Sequence, residues 1–183
     1  MYILLVPIVL VVVWIIGVYN FFVSSRARIK ASIQEIGNQL KRQMDLIPNL
    51  ESSAKGYLSH EKGIFDKLTA ARTGIQSAIK SGSTAQMAEA GSKLSEILPK
   101  LQVVVESNPE IKGSEVVRSL MDELRDTADK IMYARRLVID LSADFNVKLV
   151  SFPTNLVAKL FSFKEEKGLE TSSEETKTPK VSI

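Results

Sequence analysis

Cysteine is absent from the 183 residues, and histidine occurs once, as His60. The first absence excludes a disulfide framework, a zinc–thiolate site and a cysteine nucleophile. The second excludes a histidine-rich metal centre. The nine glycines are scattered and form no phosphate-cradling loop. No serine sits in a glycine-flanked nucleophile turn, and no loop carries acids spaced for calcium or magnesium. A basic block is lacking too. The 24 lysines and arginines alternate with 21 acids to a net charge of +3, which leaves no nucleic-acid footprint. Alternating strands bounded by hairpin turns are missing, so no sheet is expected.

One pair tempts a catalytic reading. His60 and Glu61 are adjacent, but a helical zinc-peptidase motif needs a second histidine four residues on, and Ile64 stands there. A polar helix face or a hydrogen-bonded interior layer is the simpler reading. No catalytic, metal or cofactor site is expected.

From Tyr2 to Val23 no residue is charged. As a helix this run spans about 33 Å, enough for a hydrocarbon core of about 30 Å. A cleaved signal peptide needs a basic start and a short apolar stretch, and both are missing. Residues 1–24 are therefore expected to be a transmembrane anchor, meeting the lipid bilayer through residues 2–23. Arg26, Arg28, Lys30, Lys41 and Arg42 follow the run, and no charged side chain precedes it. The positive-inside rule then gives a single-pass protein of the cell membrane, its N-terminus outside and its body cytoplasmic.

After the anchor, apolar residues recur at helical spacing: Ile29, Ile33, Ile36, Leu40, Met44, Ile47, then Leu50, Ala54, Tyr57, Ile64, Leu68, Ala71, Ile75 and Ile79. Ser81-Gly82-Ser83 is a stop, and Ser83 with Gln86 resembles a capping box that opens a third stretch. Asn108-Pro109 ends that stretch. Val117, Leu124, Ile131, Val138, Phe145 and Phe152 stand seven apart, the coiled-coil repeat of a long helix packed at a shallow angle. The expected fold is all-α: an N-terminal transmembrane helix followed by an antiparallel up-and-down bundle of three or four long helices over residues 25–163. The count turns on Pro48, which either bends a continuous helix or reverses the chain. The unbroken apolar phase of Ile47, Leu50 and Ala54 favours the bent helix. Three body helices would then carry the Phe152–Phe163 segment to the end far from lipid. Four would return it to the membrane, where Leu156, Leu160, Phe161 and Phe163 could enter the interface beside Lys159 and Lys164. Residues 164–183, rich in Glu, Lys, Ser and Thr, read as a disordered polar tail.

Several separated runs share one likeness. They are Tyr19-Asn20-Phe21-Phe22-Val23 with Arg26, Gln39-Leu40-Lys41-Arg42, Asp45-Leu46-Ile47-Pro48-Asn49-Leu50, Lys55-Gly56-Tyr57, His60-Glu61, Ala71-Arg72, Ala134-Arg135, Phe145-Asn146, and Phe152-Pro153-Thr154-Asn155-Leu156-Val157-Ala158. Residues 19–163 resemble the LemA family, most specifically in the run Asp45–Leu50. The chain departs from the family pattern at Val138-Ile139, where a Tyr-Asn pair is usual, at Ala128 after Thr127, and at Glu106-Ser107-Asn108-Pro109. The resemblance implies a membrane-anchored helical bundle with no established enzymatic activity. Family members are often encoded beside other membrane proteins, including metallopeptidases.

Asp45, Glu61, Arg72 and Arg135 lie on or beside the apolar stripes of their helices. Two readings stand equally: a structural polar layer of internal ion pairs that fixes helix register, or long side chains that lie along the bundle with their charged heads in water. The expected function is a membrane-tethered helical interaction or scaffold protein without catalysis of its own. Its partner is an unidentified protein, with membrane proteins as candidates. The alternative is an accessory or regulatory subunit of a membrane peptidase or other membrane enzyme.

Overall fold

The computed structural model describes residues 2–54 and 62–169. These hold six helices and no strand: α1 (Tyr2–Ala54), α2 (Lys62–Ser81), α3 (Thr84–Ser107), α4 (Pro109–Lys112), α5 (Glu115–Val150) and α6 (Thr154–Leu160). The fold is all-α, as the periodicities require. Two compact units divide the chain otherwise than into anchor, body and tail. One takes Met1–Ser32 with Arg136–Gly168, the other Ile33–Arg135 with Leu169 onward.

In the second unit four helices pack in up-and-down order. α1 contributes Ile36, Leu40, Ile47, Leu50 and Ala54, all buried and spaced by three, four or seven. α2 buries Ile64, Leu68, Ala71, Ile75 and Ala78, and α3 buries Ala88, Gly91, Leu94, Leu98 and Leu101. The early part of α5 adds Val117, Met121, Leu124 and Ile131. A Cβ placed on Gly91 would lie 3.2 Å from Ile131 Cγ2 and 3.7 Å from Leu40 Cδ2, so this glycine lets α3, α5 and α1 approach closely. One on Gly37 would meet Met87 Sδ at 3.9 Å, which sets α1 and α3 side by side and parallel.

The turn from α2 to α3 follows from its sequence. Gly82 adopts φ +65°, which a side chain would strain. Ser83 caps α3, its hydroxyl accepting from the Gln86 N–H at 3.4 Å. Ser81 completes the cap: its Oγ accepts from the Ser83 N–H and lies 2.6 Å from Gln86 Oε1. The glutamine thus reaches the backbone through a serine relay instead of directly. Asn108 is extended and ends α3, as the Asn-Pro pair implied.

Helix α1 runs unbroken through Pro48 to Ala54, so the proline does not reverse the chain. Four helices arise nonetheless, because α2 is a separate helix from Lys62. The expected coupling between a continuous Pro48 and a three-helix body is therefore corrected.

In the first unit, α5 runs antiparallel to α1. Phe145 lies against Phe22 at 5.0 Å between ring centroids, and three residues later Lys148 Nζ stands 3.6 Å from the centre of the Phe21 ring. The heptad holds through Val138 and Phe145, both fully buried, but fails at Phe152, which is 80% exposed. Helix α5 has ended at Val150, and a turn through Pro153 starts α6. Phe161 then returns to Tyr19 at 4.8 Å and Phe163 stacks on Phe22 at 4.8 Å. The expected placement of this segment far from the apolar run is thus overturned.

Among the described residues, α1 is the one helix long and apolar enough to cross a membrane, with a mean hydropathy of 2.5 over its most apolar window. That window is 11% buried.

Candidate functional site

Among the described residues, two of the four charged residues singled out in the sequence face solvent and one bridges two helices. Asp45 and Arg72 are exposed, and Glu61, with His60, lies outside the described residues. Arg135 is half-buried and donates from Nη1 to Ser92 Oγ at 2.7 Å, joining α5 to α3. Exposure leaves the charged heads of Asp45 and Arg72 in water. Arg72→Met is accordingly expected to change the stability of the full chain by no more than about 0.5 kcal/mol, read by urea denaturation in detergent. A loss of several kcal/mol would restore the buried pair.

The run Asp45–Leu50 has a structural role. Leu46, Ile47 and Leu50 are buried, Pro48 is half-buried, and Asp45 and Asn49 face outward. Asn49 Nδ2 donates to the Asp45 carbonyl at 3.4 Å. Because proline has no N–H, the carbonyl one turn back, Met44, loses its helical donor. Arg42 holds the same helix to α5 through Glu123, its Nε donating to Oε1 at 3.0 Å. That hydrogen bond first, and the carboxylate charge second, raise the Arg42 pKa above its ordinary value. The pair is half-exposed, so it sets register more than stability.

Two adjoining grooves lie between α3 and α5 in the second unit, of about 450 and 440 Å³. Leu98, Pro99, Met121 and Met132 line the first, with Arg125 and Asp129 at its edge. Ile111, Met121, Arg118 and Arg125 line the second. Met132 and Tyr133 are among the most exposed apolar side chains of α5. Flexible methionines beside fixed aliphatic groups make a surface that adapts to apolar protein side chains. The described residues contain no group of three or more His, Asp and Glu able to hold a metal.

The densest polar–aromatic cluster stands in the first unit. Phe22 and Phe145 are fully buried and meet edge to face; Phe163 stacks on the first and turns its edge to the second. The Arg26 guanidinium lies 5.5 and 5.6 Å from the Phe145 and Phe163 ring centres. Its Nε donates to Glu166 Oε1 at 2.6 Å. Asn146 clamps the same glutamate's backbone twice, donating from Nδ2 to its carbonyl at 2.8 Å and accepting its N–H on Oδ1 at 3.0 Å. Gly168, at φ +64°, packs beside Ser142. Residues 164–168, expected as the start of a disordered tail, are therefore a docked strap. Tyr19, Arg26, Phe145 and Asn146 were legible as motif residues; Glu166, which Arg26 and Asn146 hold, was not, because a lone acid in a polar stretch carries no signal of its own.

The site is a helix-end clamp, and the pattern of motif residues meeting in it raises the question of family. The LemA family profile matches residues 32–183. This chain belongs to the LemA family. A comparison with curated proteins gives no match. The LemA match begins after Arg26, so Tyr19 and Arg26 stand outside the matched stretch while Phe145, Asn146 and Glu166 stand within it.

Proposed function

We propose that this LemA-family chain is a membrane-tethered helical interaction module whose body binds another membrane protein and performs no catalysis of its own. The observation that carries the reading is the pairing of two surfaces. The apolar start of α1 leaves its side chains uncovered, which suits lipid. The α3–α5 grooves present Met132 at the surface above the buried Met121, which suits a helix laid into a groove. The body lies in the cytoplasm on this reading, because Arg26, Arg28 and Lys30 follow the apolar run.

The test uses the full chain in its host membrane. Alkaline carbonate should leave it in the membrane pellet, and protease added outside intact cells should leave the body undigested. Detergent-solubilised protein should retain one stoichiometric membrane partner, which Met132→Glu should release without changing helicity. Digestion from outside overturns the orientation, and extraction by carbonate overturns the tether. A partner with enzymatic activity would make the module an accessory subunit.

A further inference from the structure

Helix α6 has two apolar faces, and among the described residues only one is covered. Val157 and Ala158 are buried against the first unit. Leu156 and Leu160, one turn apart on another face, are 57% and 70% exposed. The preceding turn exposes Phe152, and the last turns of α5 expose Val147 and Val150. Phe161 is half-exposed although it touches Tyr19. Scattered exposed leucines need no explanation, but six apolar side chains along one continuous stretch mark an interaction surface.

The depth of this surface is fixed within the unit. Phe161 contacts Tyr19, and Lys148 lies on the ring of Phe21. Both partners belong to the last turns of the uncharged run Tyr2–Val23. A run of that length brings its final turns to the boundary between hydrocarbon and headgroups, where aromatic residues concentrate. The exposed stretch is thus level with that boundary. Lys148, Lys159 and Lys164 are exposed around it, as is the cation Arg28 beyond the end of the run. Apolar residues flanked by lysines fit the interfacial layer of a bilayer carrying anionic lipids.

We propose that α5's end, the Phe152–Pro153 turn and α6 form a wedge that lies in the bilayer interface, a second membrane contact besides the anchor. The lipid surface is its occupant; the clamp of Phe22, Phe145, Phe163 and Asn146 holds it at that depth. The proposal rests on the membrane-tether reading, and the experiment separates the two.

Trp14 is the only tryptophan, so native protein in liposomes reports the anchor. Trp14→Phe with Leu160→Trp reports the wedge, and Trp14→Phe with Phe152→Trp serves as a second reporter should the first perturb α6. The vesicles are phosphatidylcholine with phosphatidylglycerol, containing lipids brominated either near the headgroup or deep in the chain. Trp14 should be quenched by the deep bromines. Either wedge reporter should lose about half its emission to shallow bromines and less to deep ones, as an interfacial segment must. Quenching of Trp14 with neither wedge reporter quenched overturns the wedge and leaves the tether intact. Absence of quenching at all three positions overturns both. A blue-shifted but unquenched wedge reporter would mean that a second copy or another protein covers the face, and would overturn the lipid assignment.

Discussion

Phe145→Ala is expected to lower the stability of the full chain in detergent by about 3–5 kcal/mol. The side chain is fully buried, and its ring supports two others and a cation: Phe22 edge-on at 5.0 Å, Phe163 at 6.4 Å and the Arg26 guanidinium at 5.5 Å. Alanine removes the transferred ring and leaves a void that two flat neighbours cannot close without giving up their own contacts. The loss also falls on the strap, since Phe163 and Glu166 are held from the same helix turn by Phe145 and Asn146. Denaturant unfolding followed by circular dichroism reads the first effect. Amide exchange of residues 161–168 reads the second and should accelerate strongly. A stability change under about 1 kcal/mol, with strap protection retained, would mean that the cluster rearranges around the void and that the clamp is held elsewhere.

How much of this was legible depends on what each signal measures. Periodicity reports which side of a helix faces the core, so Val117, Leu124, Ile131, Val138 and Phe145 were placed correctly along α5. It does not report where a helix stops. Phe152 keeps the seven-residue phase but precedes Pro153, and a residue before proline is biased away from helical geometry. That local rule outweighed the pattern, and Phe152 emerged into the open. Pro48 shows the reverse. A single proline in a long helix with sustained packing on both sides costs less than losing Ile47, Leu50 and Ala54 from the core, so α1 continues.

The site was harder to read because charge position along a stripe is a coarse coordinate. Asp45 and Arg72 sit at the edge of their stripes, and a side chain there needs only a small rotation to reach water. Glu166 was hidden for a different reason. Its role comes from the return of the chain past Asn146, a tertiary fact with no local counterpart in sequence. Family membership, by contrast, was legible in the run Asp45–Leu50, because six consecutive residues carry far more information than any charged pair.

The largest buried polar side chain of the α1 stripe is Gln43, and its replacement by leucine is expected to stabilise the chain by about 1–3 kcal/mol. Along α1 the buried seam runs Phe22, Ser25, Ile29, Ser32, Ile36, Leu40, Gln43, Ile47, Leu50 and Ala54 in steps of three or four, with Leu46 buried beside it. Gln43 occupies the centre of that seam with its amide fully enclosed. Among the described residues neither its Nε2 nor its Oε1 has a hydrogen-bond partner. Ser32, elsewhere in the seam, gives its hydroxyl to the Arg28 carbonyl at 3.0 Å, and Gln39 donates its amide to Glu35 at 2.7 Å. An amide taken from water with nothing in exchange costs more than a leucine of similar size in the same space. A polar residue retained in a helical seam at such a cost is the device by which coiled coils fix register. The leucine variant should therefore unfold at higher urea concentration while its helices pack less uniquely, seen as broader side-chain NMR signals. Destabilisation by Gln43→Leu would show that the amide is satisfied in solution and that its burial is not a cost.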